Sequence, residues 1–310
     1  MDPLTRATLR AALDGAGLEL ASLEPVRPGG AVWRAVGPAG AWSVRWVPRR
    51  EAAALAATAE WLDRLARAGV PAPRPWRARR SSSHLLPVAD GVVLVTEWRR
   101  GTTVLELGWD EARAEALGAL LARTHALDAG PPPAGARRYD GAWAEGAWTR
   151  LAIERSLTGT TPGERTTVRV GLQYAASVVE RAWHGGPGGP IAMVHADAHA
   201  GNVLEIARAS DRVELAWIDV DRAGLAPVGL DLALALLEHE DATGWAVVRG
   251  YRRWAAWGEG LEATRAPFGV LAMADNLAFL AAFEHERPFV ERAWPTLVAA
   301  CAALAAAARS

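Results

Sequence analysis

The sequence predicts an α+β fold, in which a small antiparallel sheet with one main helix precedes a larger and mostly helical part. Two hairpin patterns on either side of one helical pattern account for residues 1–98, and apolar positions at helical spacing dominate residues 99–310. The chain has 310 residues, of which 51% are hydrophobic, so it has enough apolar side chains for a sizeable core.

The elements of the first part follow from local signals. Residues 32–47 predict a hairpin, because β-branched and aromatic residues lie on both sides of a turn that contains Gly and Pro. A helix over about 51–68 follows, with leucines at helical spacing and a glycine stop. Residues 84–98 predict a second hairpin, whose turn is placed at Asp90-Gly91, a pair typical of type I′ turns.

Helix-start signals mark the second part. We expect helices to begin at Asp110 and at Thr161-Pro162, because Asp and Thr are good N-caps and Pro is favoured at the first helical position. Periodic apolar residues predict four more helices near the end of the chain, over 230–238, 242–257, 265–283 and 288–307.

One polar stretch interrupts these helices. Residues 195–202 are His-Ala-Asp-Ala-His-Ala-Gly-Asn, and the apolar runs 191–194 and 203–206 on either side predict two strands joined by this loop. The alternating stretch 213–219 predicts a further strand that pairs as a hairpin and ends in an aspartate.

This arrangement brings three oxygen-bearing side chains together. We predict that Asp197, Asn202 and Asp219 converge, although Asp219 lies seventeen positions after Asn202. Hard oxygen ligands suit Mg²⁺, which is usually held by one or two carboxylates and by the phosphates of a substrate. The cluster therefore indicates magnesium and phosphate chemistry beside a general base.

Two alternatives apply to the same stretch. His195 and His199 are four residues apart, the spacing of zinc-binding histidines on a helix, but Gly201-Asn202 argues against a continuing helix. A polar loop whose Asp and Asn only satisfy turn backbone is the other alternative. The combined spacing favours the catalytic interpretation.

The stretch resembles the catalytic loop of the aminoglycoside phosphotransferase and choline kinase family, relatives of protein kinases, whose pattern is His-x-Asp-x-His-x-x-Asn followed by Ile-Asp. The resemblance implies a two-lobed protein-kinase-like fold. Residues 1–98 would form an N-lobe that binds the nucleotide phosphates, and residues 99–310 a helical C-lobe with the catalytic loop and the acceptor site. The implied reaction is the ATP- or GTP-dependent, Mg²⁺-dependent transfer of the γ-phosphoryl group to a hydroxyl of a small molecule, either an aminoglycoside-type antibiotic or a hydroxylated metabolite.

The resemblance also implies residue roles. In the family, the residue that matches Asp197 orients the acceptor hydroxyl and takes its proton, and those that match Asn202 and Asp219 bind magnesium. His195 and His199 would support the loop.

A second match lies further along the chain. The segment 229–233, Gly-Leu-Asp-Leu-Ala, resembles the Asp-Leu-Ala of the family, in which the aspartate supports the loop, so Asp231 is assigned that role. Ala200 stands where the family often has proline, a minor departure.

The N-lobe departs more from the family. All 34 basic residues are arginine, so the strand lysine that grips the phosphates in most kinase-like folds is absent. Arg45 stands at its place, either as a phosphate ligand or as an ordinary surface arginine. Helical periodicity points Glu51 towards the sheet and Glu60 away from it. Family spacing falls on Thr58 instead, which leaves the usual ion pair either rearranged or absent.

Two further segments are candidates for the nucleotide. Gly29-Gly30 precedes the first hairpin, where glycine permits close approach of the backbone to phosphates, although a plain turn explains it equally well. Glu97 and Trp98 resemble the linker whose main chain holds adenine in the family.

Acidic side chains after the catalytic region suit a cationic acceptor, but each fits a helix surface as well. They are Asp221, Glu238, Glu240, Asp241, Asp275, Glu284 and Glu286.

Composition narrows the setting. The net charge is −1, yet residues 1–100 are basic, which suits a phosphate-rich ligand. We expect no nucleic-acid partner, because no basic run carries interleaved aromatics, and no membrane span, because the longest apolar run, 297–308, is short and rich in alanine. The single Cys301 and the lack of a signal-peptide pattern predict a cytoplasmic protein. The sequence leaves the oligomeric state open.

Two other functions stay open from the sequence. A noncatalytic, nucleotide-binding relative that acts through partner contacts is compatible with the missing lysine. A metal-dependent hydrolase that binds zinc would use the two histidines and two aspartates.

Overall fold

The computed structural model describes most of the chain, with short gaps. The described residues are 6–26, 30–78, 83–127, 131–153, 160–209, 212–237, 239, 241–256 and 258–308.

The N-terminal lobe is a five-stranded antiparallel sheet with strand order β1-β2-β3-β5-β4 and two helices. Its elements are α1 Arg6–Gly15, β1 Ser22–Pro25, β2 Val32–Gly37, β3 Gly40–Pro48, α2 Ala52–Arg67, β4 Leu85–Val88 and β5 Gly91–Glu97. The helices cover opposite faces. Leu9 and Leu13 of α1 pack with Val93 and Val95, whereas Leu55 of α2 packs against the other side of β5.

The C-terminal lobe is mostly helical, as predicted. Its helices are α3 Val104–Leu107, α4 Glu111–His125, α5 Gly141–Glu145, α6 Ala147–Ile153, α7 Pro162–Trp183, α8 Gly229–Leu237, α9 Asp241–Arg252, α10 Glu259–Ala281 and α11 Arg287–Ala307. Its strands are β6 Thr102–Thr103, β7 Arg137–Arg138, β8 Ile191–Val194, β9 Val203–Ala209, β10 Arg212–Trp217 and β11 Gly224–Pro227. They form two small sheets, β10-β9-β6 and β7-β11-β8.

Local helix signals were reliable. The Asp110 side chain caps α4 by accepting a hydrogen bond from the N–H of Arg113 at 2.8 Å. Thr161 and Glu164 form a reciprocal capping box at the start of α7. Both predicted helix starts are confirmed.

The second hairpin shows one error. Val88 pairs with Gly91, so the two turn residues are Ala89 and Asp90 instead of the predicted Asp90-Gly91. Ala89 takes the left-handed conformation, with φ of 51°. The register is fixed by the pairing of the strands with the sheet, which outweighs the local preference of glycine.

The last helix also bears on the membrane question. The segment Glu284–Ala307 is long and apolar enough to cross a membrane by length and composition. Trp294, Leu297 and Cys301 on this segment are buried, and Cys301 packs against Gly171 of α7. These side chains belong to the core of the C-terminal lobe.

The helices α4 and α9 of the C-terminal lobe approach each other closely at glycines. A Cβ atom on Gly118 would lie 1.9 Å from the carbonyl oxygen of Val247 and 2.7 Å from the backbone nitrogen of Tyr251. Only a hydrogen at this position permits the two backbones to approach so closely.

We therefore expect Gly118→Ala to lower the midpoint of thermal unfolding, because overpacking costs roughly 1–3 kcal/mol and outweighs the better helix propensity of alanine. Gly163→Ala in α7 is the control, since its new Cβ would meet nothing closer than 3.9 Å. Circular dichroism melts of both variants provide the measurement. An unchanged midpoint for Gly118→Ala would contradict the tight crossing.

Candidate active site

The catalytic loop connects β8 to β9, as the sequence predicts. β8 pairs with β11 and β9 pairs with β10, so the loop lies where two small sheets meet. The N–H of Ile218 donates to the carbonyl oxygen of Asn202 at 3.0 Å, which ties the segment before Asp219 to the end of the loop. The loop and the segment that carries Asp219 therefore converge, as predicted.

A buried carboxylate holds the start of the loop. Asp231 is 0% exposed and accepts hydrogen bonds from the main-chain N–H groups of His195, at 2.7 Å, and Ala196, at 2.6 Å. Its Oδ2 also lies 3.1 Å from Nε2 of His125, whose Nδ1 is 3.1 Å from the hydroxyl of Tyr251. Asp231 thus lies against the start of the loop, the position that the sequence analysis assigns to it.

His195 is enclosed and lies behind the site. Its Nε2 is 3.0 Å from the carbonyl oxygen of Ile218, and its ring packs 4.5 Å from the ring of Trp217. Burial lowers the pKa of His195, although the nearby carboxylates oppose the shift. The side chain is thus neutral and donates from Nε2. This geometry does not support a zinc site made of His195 and His199.

Asp197 and Asn202 form a direct pair. The amide Nδ2 of Asn202 donates to Oδ2 of Asp197 at 2.8 Å and to its carbonyl oxygen at 3.0 Å. The N–H of Gly201 donates to Nδ1 of His199 at 3.1 Å, which stabilises the turn between the two residues. The loop therefore fixes Oδ2 of the Asp197 carboxylate by a hydrogen bond, while its Oδ1 lies 3.9 Å from Nη1 of Arg222.

Asp219 carries the charge link between the lobes. It takes a left-handed conformation, with φ of 50° and ψ of 57°, directly after β10. Arg45 of β3 donates from Nη2 to Asp219, and from Nη1 to Asp221 at 2.7 Å. Arg45 is thus an interlobe ligand of two carboxylates, not an isolated surface arginine.

The Asp219 carboxyl lies in a field of surplus negative charge. Removal from water, followed by the charges of Asp221 and Asp197, raises its pKa to about 6, although the Arg45 guanidinium opposes the rise. The Asp219 side chain is 47% exposed, which leaves its carboxylate accessible from the solvent. Excess carboxylate charge of this kind favours a bound cation.

The oxygen groups fit the expected Mg²⁺. Asn202 offers an amide oxygen and Asp219 a carboxylate, which are hard ligands of the type magnesium prefers. Burial and neighbouring carboxylates raise the pKa of Asp219, and a divalent cation would oppose that rise by favouring the ionised carboxylate. Within the described ranges, no group of three or more His, Cys, Asp or Glu side chains has the arrangement of a metal centre.

The sequence did not single out Arg222. Its Nη1 lies 3.9 Å from Oδ1 of Asp197, and its Nη2 donates to Asp275 of α10. Tyr139 donates its hydroxyl to the carbonyl oxygen of Arg222. Only its position three residues after Asp219 could have drawn attention to this arginine.

The helix partner of Arg45 is missing. Glu51 lies in the turn before α2, and its Oε1 is 3.6 Å from Nη2 of Arg50. Glu60 pairs with Arg64, and the Thr58 hydroxyl donates to its own helix. The usual ion pair is therefore replaced, in the described structure, by the pairing of Arg45 with the aspartates of the C-terminal lobe.

The candidate nucleotide segments are placed as follows. Gly29 lies outside the described residues, and Gly30 is exposed before β2. Glu97 ends β5 and Trp98 follows it, with its N–H donated to the carbonyl oxygen of Ala41 at 2.9 Å. That donor is already used by the sheet, so adenine binding through it stays a prediction.

The acidic residues proposed for the acceptor separate into groups. Asp221 and Asp275 lie at the site and are paired with arginines. Glu284 and Glu286 lie on the exposed turn before α11. Glu238 and Glu240 fall outside the described residues, and the side chain of Asp241 is not among those described.

The fold and this group of residues define a class, the two-lobed kinase-like phosphotransferases. A sequence model of the phosphotransferase enzyme family, APH, matches residues 29–268, well over half of the chain. The chain belongs to this family, whose members phosphorylate hydroxyl groups of small molecules. The resemblance drawn from the catalytic loop is thereby confirmed. No curated protein gives a significant match.

Solved structures share the fold at low identity. A spectinomycin phosphotransferase in complex with ADP and spectinomycin is 13% identical, with a TM-score of 0.69 over 98% of this chain and 99% of that chain. A microcompartment-associated aminopropanol kinase is 21% identical, with a TM-score of 0.69 over 92% and 91%. An amicoumacin kinase in complex with AMP-PNP, Ca²⁺ and Ami is 18% identical, with a TM-score of 0.64 over 95% and 96%.

We expect Asp231→Asn to destabilise the protein. An amide has one oxygen, so the N–H of either His195 or Ala196 would lose its acceptor. A buried donor without a partner costs about 1–3 kcal/mol, which corresponds to a fall of roughly 2–10 °C in the thermal midpoint. Differential scanning calorimetry measures the shift.

The matched control for this prediction is Glu180→Gln on α7. Glu180 is exposed and contacts only His184 on its own helix among the described ion pairs, so its removal should change the midpoint by little. Equal midpoints for Asp231→Asn and Glu180→Gln would contradict the role of the buried carboxylate.

Proposed function

We propose that this chain transfers the γ-phosphoryl group of ATP or GTP to a hydroxyl of a small molecule, with Mg²⁺ as cofactor. The observation that carries the proposal is the Asp197–Asn202 pair, 2.8 Å apart, on a loop tied to the segment that presents Asp219. These are the oxygen groups that phosphoryl transfer needs, one at the acceptor and two at the metal. Family membership supports the same reaction class.

Asp197 is the proposed catalytic residue. Its Oδ2 accepts from Asn202, and its Oδ1 faces Arg222 at 3.9 Å. Held from both sides, the carboxylate orients the acceptor hydroxyl for in-line attack and accepts its proton. Little covalent help is needed, because phosphoryl transfer depends mainly on positioning and charge neutralisation.

Asn202 and Asp219 are the proposed metal residues. When bound there, Mg²⁺ would neutralise the charge of the donor phosphates. Arg45 holds the carboxylates of Asp219 and Asp221 at the phosphate end of the cleft. Its guanidinium presents several donors at once, so it orders this side of the cleft where the family has lysine.

The surroundings of Asp197 favour an acceptor that is not strongly cationic. The guanidinium of Arg222 lies between Asp197 and Asp275. Asp275 is itself paired with both Arg222 and Arg150. Phe279 lies one helical turn after Asp275 on α10, and its exposed ring packs 5.3 Å from the exposed ring of Phe283, which follows the end of the helix. We therefore expect a hydroxylated acceptor with an apolar part that lies against these rings.

We further propose that the two lobes divide at residue 98 and that Glu97 and Trp98 contact adenine. We also propose a cytoplasmic location without nucleic-acid or membrane partners.

The function is tested by incubating the protein with Mg²⁺ and ATP or GTP and a panel of acceptors, followed by mass spectrometry. The panel includes aminoglycosides, macrolide-type and other apolar hydroxylated antibiotics, amino alcohols and sugars. A gain of one phosphate on a member of the panel is the expected result. Nucleotide binding without phosphorylation of any acceptor would favour a noncatalytic relative, and tightly bound zinc would favour a hydrolase.

For the accepted substrate, we expect Asp197→Asn to lower kcat about 10²- to 10⁴-fold, the contribution of a positioned general base. Nucleotide affinity, measured by calorimetry, should stay near the wild-type value, because Asp197 faces the acceptor. Asp14→Asn, which changes an exposed side chain of α1, is the control and should leave kcat unchanged. Turnover retained in Asp197→Asn would remove Asp197 from the reaction.

We further expect Arg45→Ala to weaken MgATP binding about 10- to 100-fold. The variant loses the charge-assisted hydrogen bonds that hold Asp219 and Asp221 at the phosphate end of the cleft. Arg67→Ala, an exposed arginine on α2 that pairs with Asp63, is the control. Isothermal titration calorimetry of both variants gives the affinities. Equal affinities would show that Arg45 does not shape the nucleotide site.

A further inference from the structure

A cavity of about 200 Å³ lies beside the Arg45 link, between β3, the start of α2 and the strand β7. Its charged lining residues are Arg45, Glu51, Asp221 and Arg137. Pockets that enclose whole drug-sized ligands measure roughly 300–1,000 Å³. This cavity is smaller and suits a compact charged group.

The cavity lining carries two arginines and two carboxylates, but these four charges are not all paired with one another. Arg45 is paired with Asp221, and Glu51 contacts Arg50. Arg137 lines the cavity and is exposed, and its guanidinium forms no ion pair within the described part of the chain. The lining therefore presents one cation whose charge is not answered by a carboxylate.

The fold places Arg137 here by a close backbone approach. Arg137 lies on β7, paired in parallel with Gly224 of β11, which directly follows the segment of Asp219 and Arg222. A Cβ on Gly224 would lie 2.7 Å from the carbonyl oxygen of Arg137, so the glycine permits this pairing. The strand is thus anchored to the segment that carries the proposed metal residue.

We infer that Arg137 binds the terminal phosphate of the donor nucleotide, as a second phosphate-binding residue in a chain that has no lysine. This inference rests on the proposed function. Arg45 already donates to two carboxylates, whereas Arg137 faces the same cavity with its charge unanswered. A guanidinium suits this role because its planar donors match phosphate oxygens.

The neighbouring residue provides a matched control. Successive side chains on a strand point to opposite faces, and Arg138 accordingly packs over the Trp183 ring at 4.4 Å and donates to Asp140 at 3.0 Å. Arg138 has the same charge as Arg137 and lies on the same strand, but it does not line the cavity.

The test is isothermal titration of ATP, ADP and AMP, each with Mg²⁺, into the wild type, Arg137→Ala, Arg137→Lys and Arg138→Ala. We expect Arg137→Ala to weaken ATP binding about 10- to 100-fold, the range for lost charge-assisted hydrogen bonds, and to leave AMP binding unchanged. Arg137→Lys should keep part of the affinity, and Arg138→Ala all of it. Thermal midpoints of the variants confirm that they fold.

The outcomes separate this inference from the proposed function. ATP affinity that is unchanged in Arg137→Ala, or a loss that is equal for ATP and AMP, would overturn the role of Arg137 while the phosphotransferase proposal stands. A loss confined to acceptor binding would also overturn it. A wild-type protein that binds no ATP would overturn both.

Discussion

The carboxylate of Asp231 is the interaction on which the site depends. A buried ion costs several kcal/mol unless hydrogen bonds surround it, and here the donors are the two N–H groups that begin the catalytic loop, with His125 on the far side. The cost of burial is thus offset only when the loop has its catalytic shape. Because α8, α4 and α9 meet at this carboxylate, the packing of the C-terminal lobe and the position of Asp197 are set together.

Two left-handed bends shape the site, one at Ala196 in the loop and one at Asp219 after β10. Ala196 and Asp219 both have left-handed backbones, with φ of 60° and 50°. Such conformations cost about 1–3 kcal/mol each for residues other than glycine, and they persist where the surroundings fix them. Asp231 fixes the first bend and Arg45 grips the second, so the strain is held at the point where acceptor, metal and phosphate would meet. The Arg45 contacts also join the lobes by charge.

Particular residues show how far sequence reasoning reached. Asp110 was predicted correctly as a cap, because a cap depends on a side chain and a backbone N–H only three residues away. The catalytic loop was found because its spacing is short and specific. The turn at Asp90-Gly91 was misplaced by one residue, since sheet register overrode local preference. Arg222 was missed, because only its position three residues after Asp219 distinguishes it among so many arginines.

The sequence by itself therefore determined the two main hairpins and the long helices, the loop with Asp197 and Asn202, the family and the lack of lysine. Each of these depends on residue identity or on contacts within a few positions. Only the tertiary structure decided which arginine meets which acid. Arg45 and Asp219 are 174 residues apart, and their pairing replaces the expected partner on α2. Such pairs are selected by burial, by the close approach of backbones and by competition among many equal charges. All three of these effects arise only when the chain is folded.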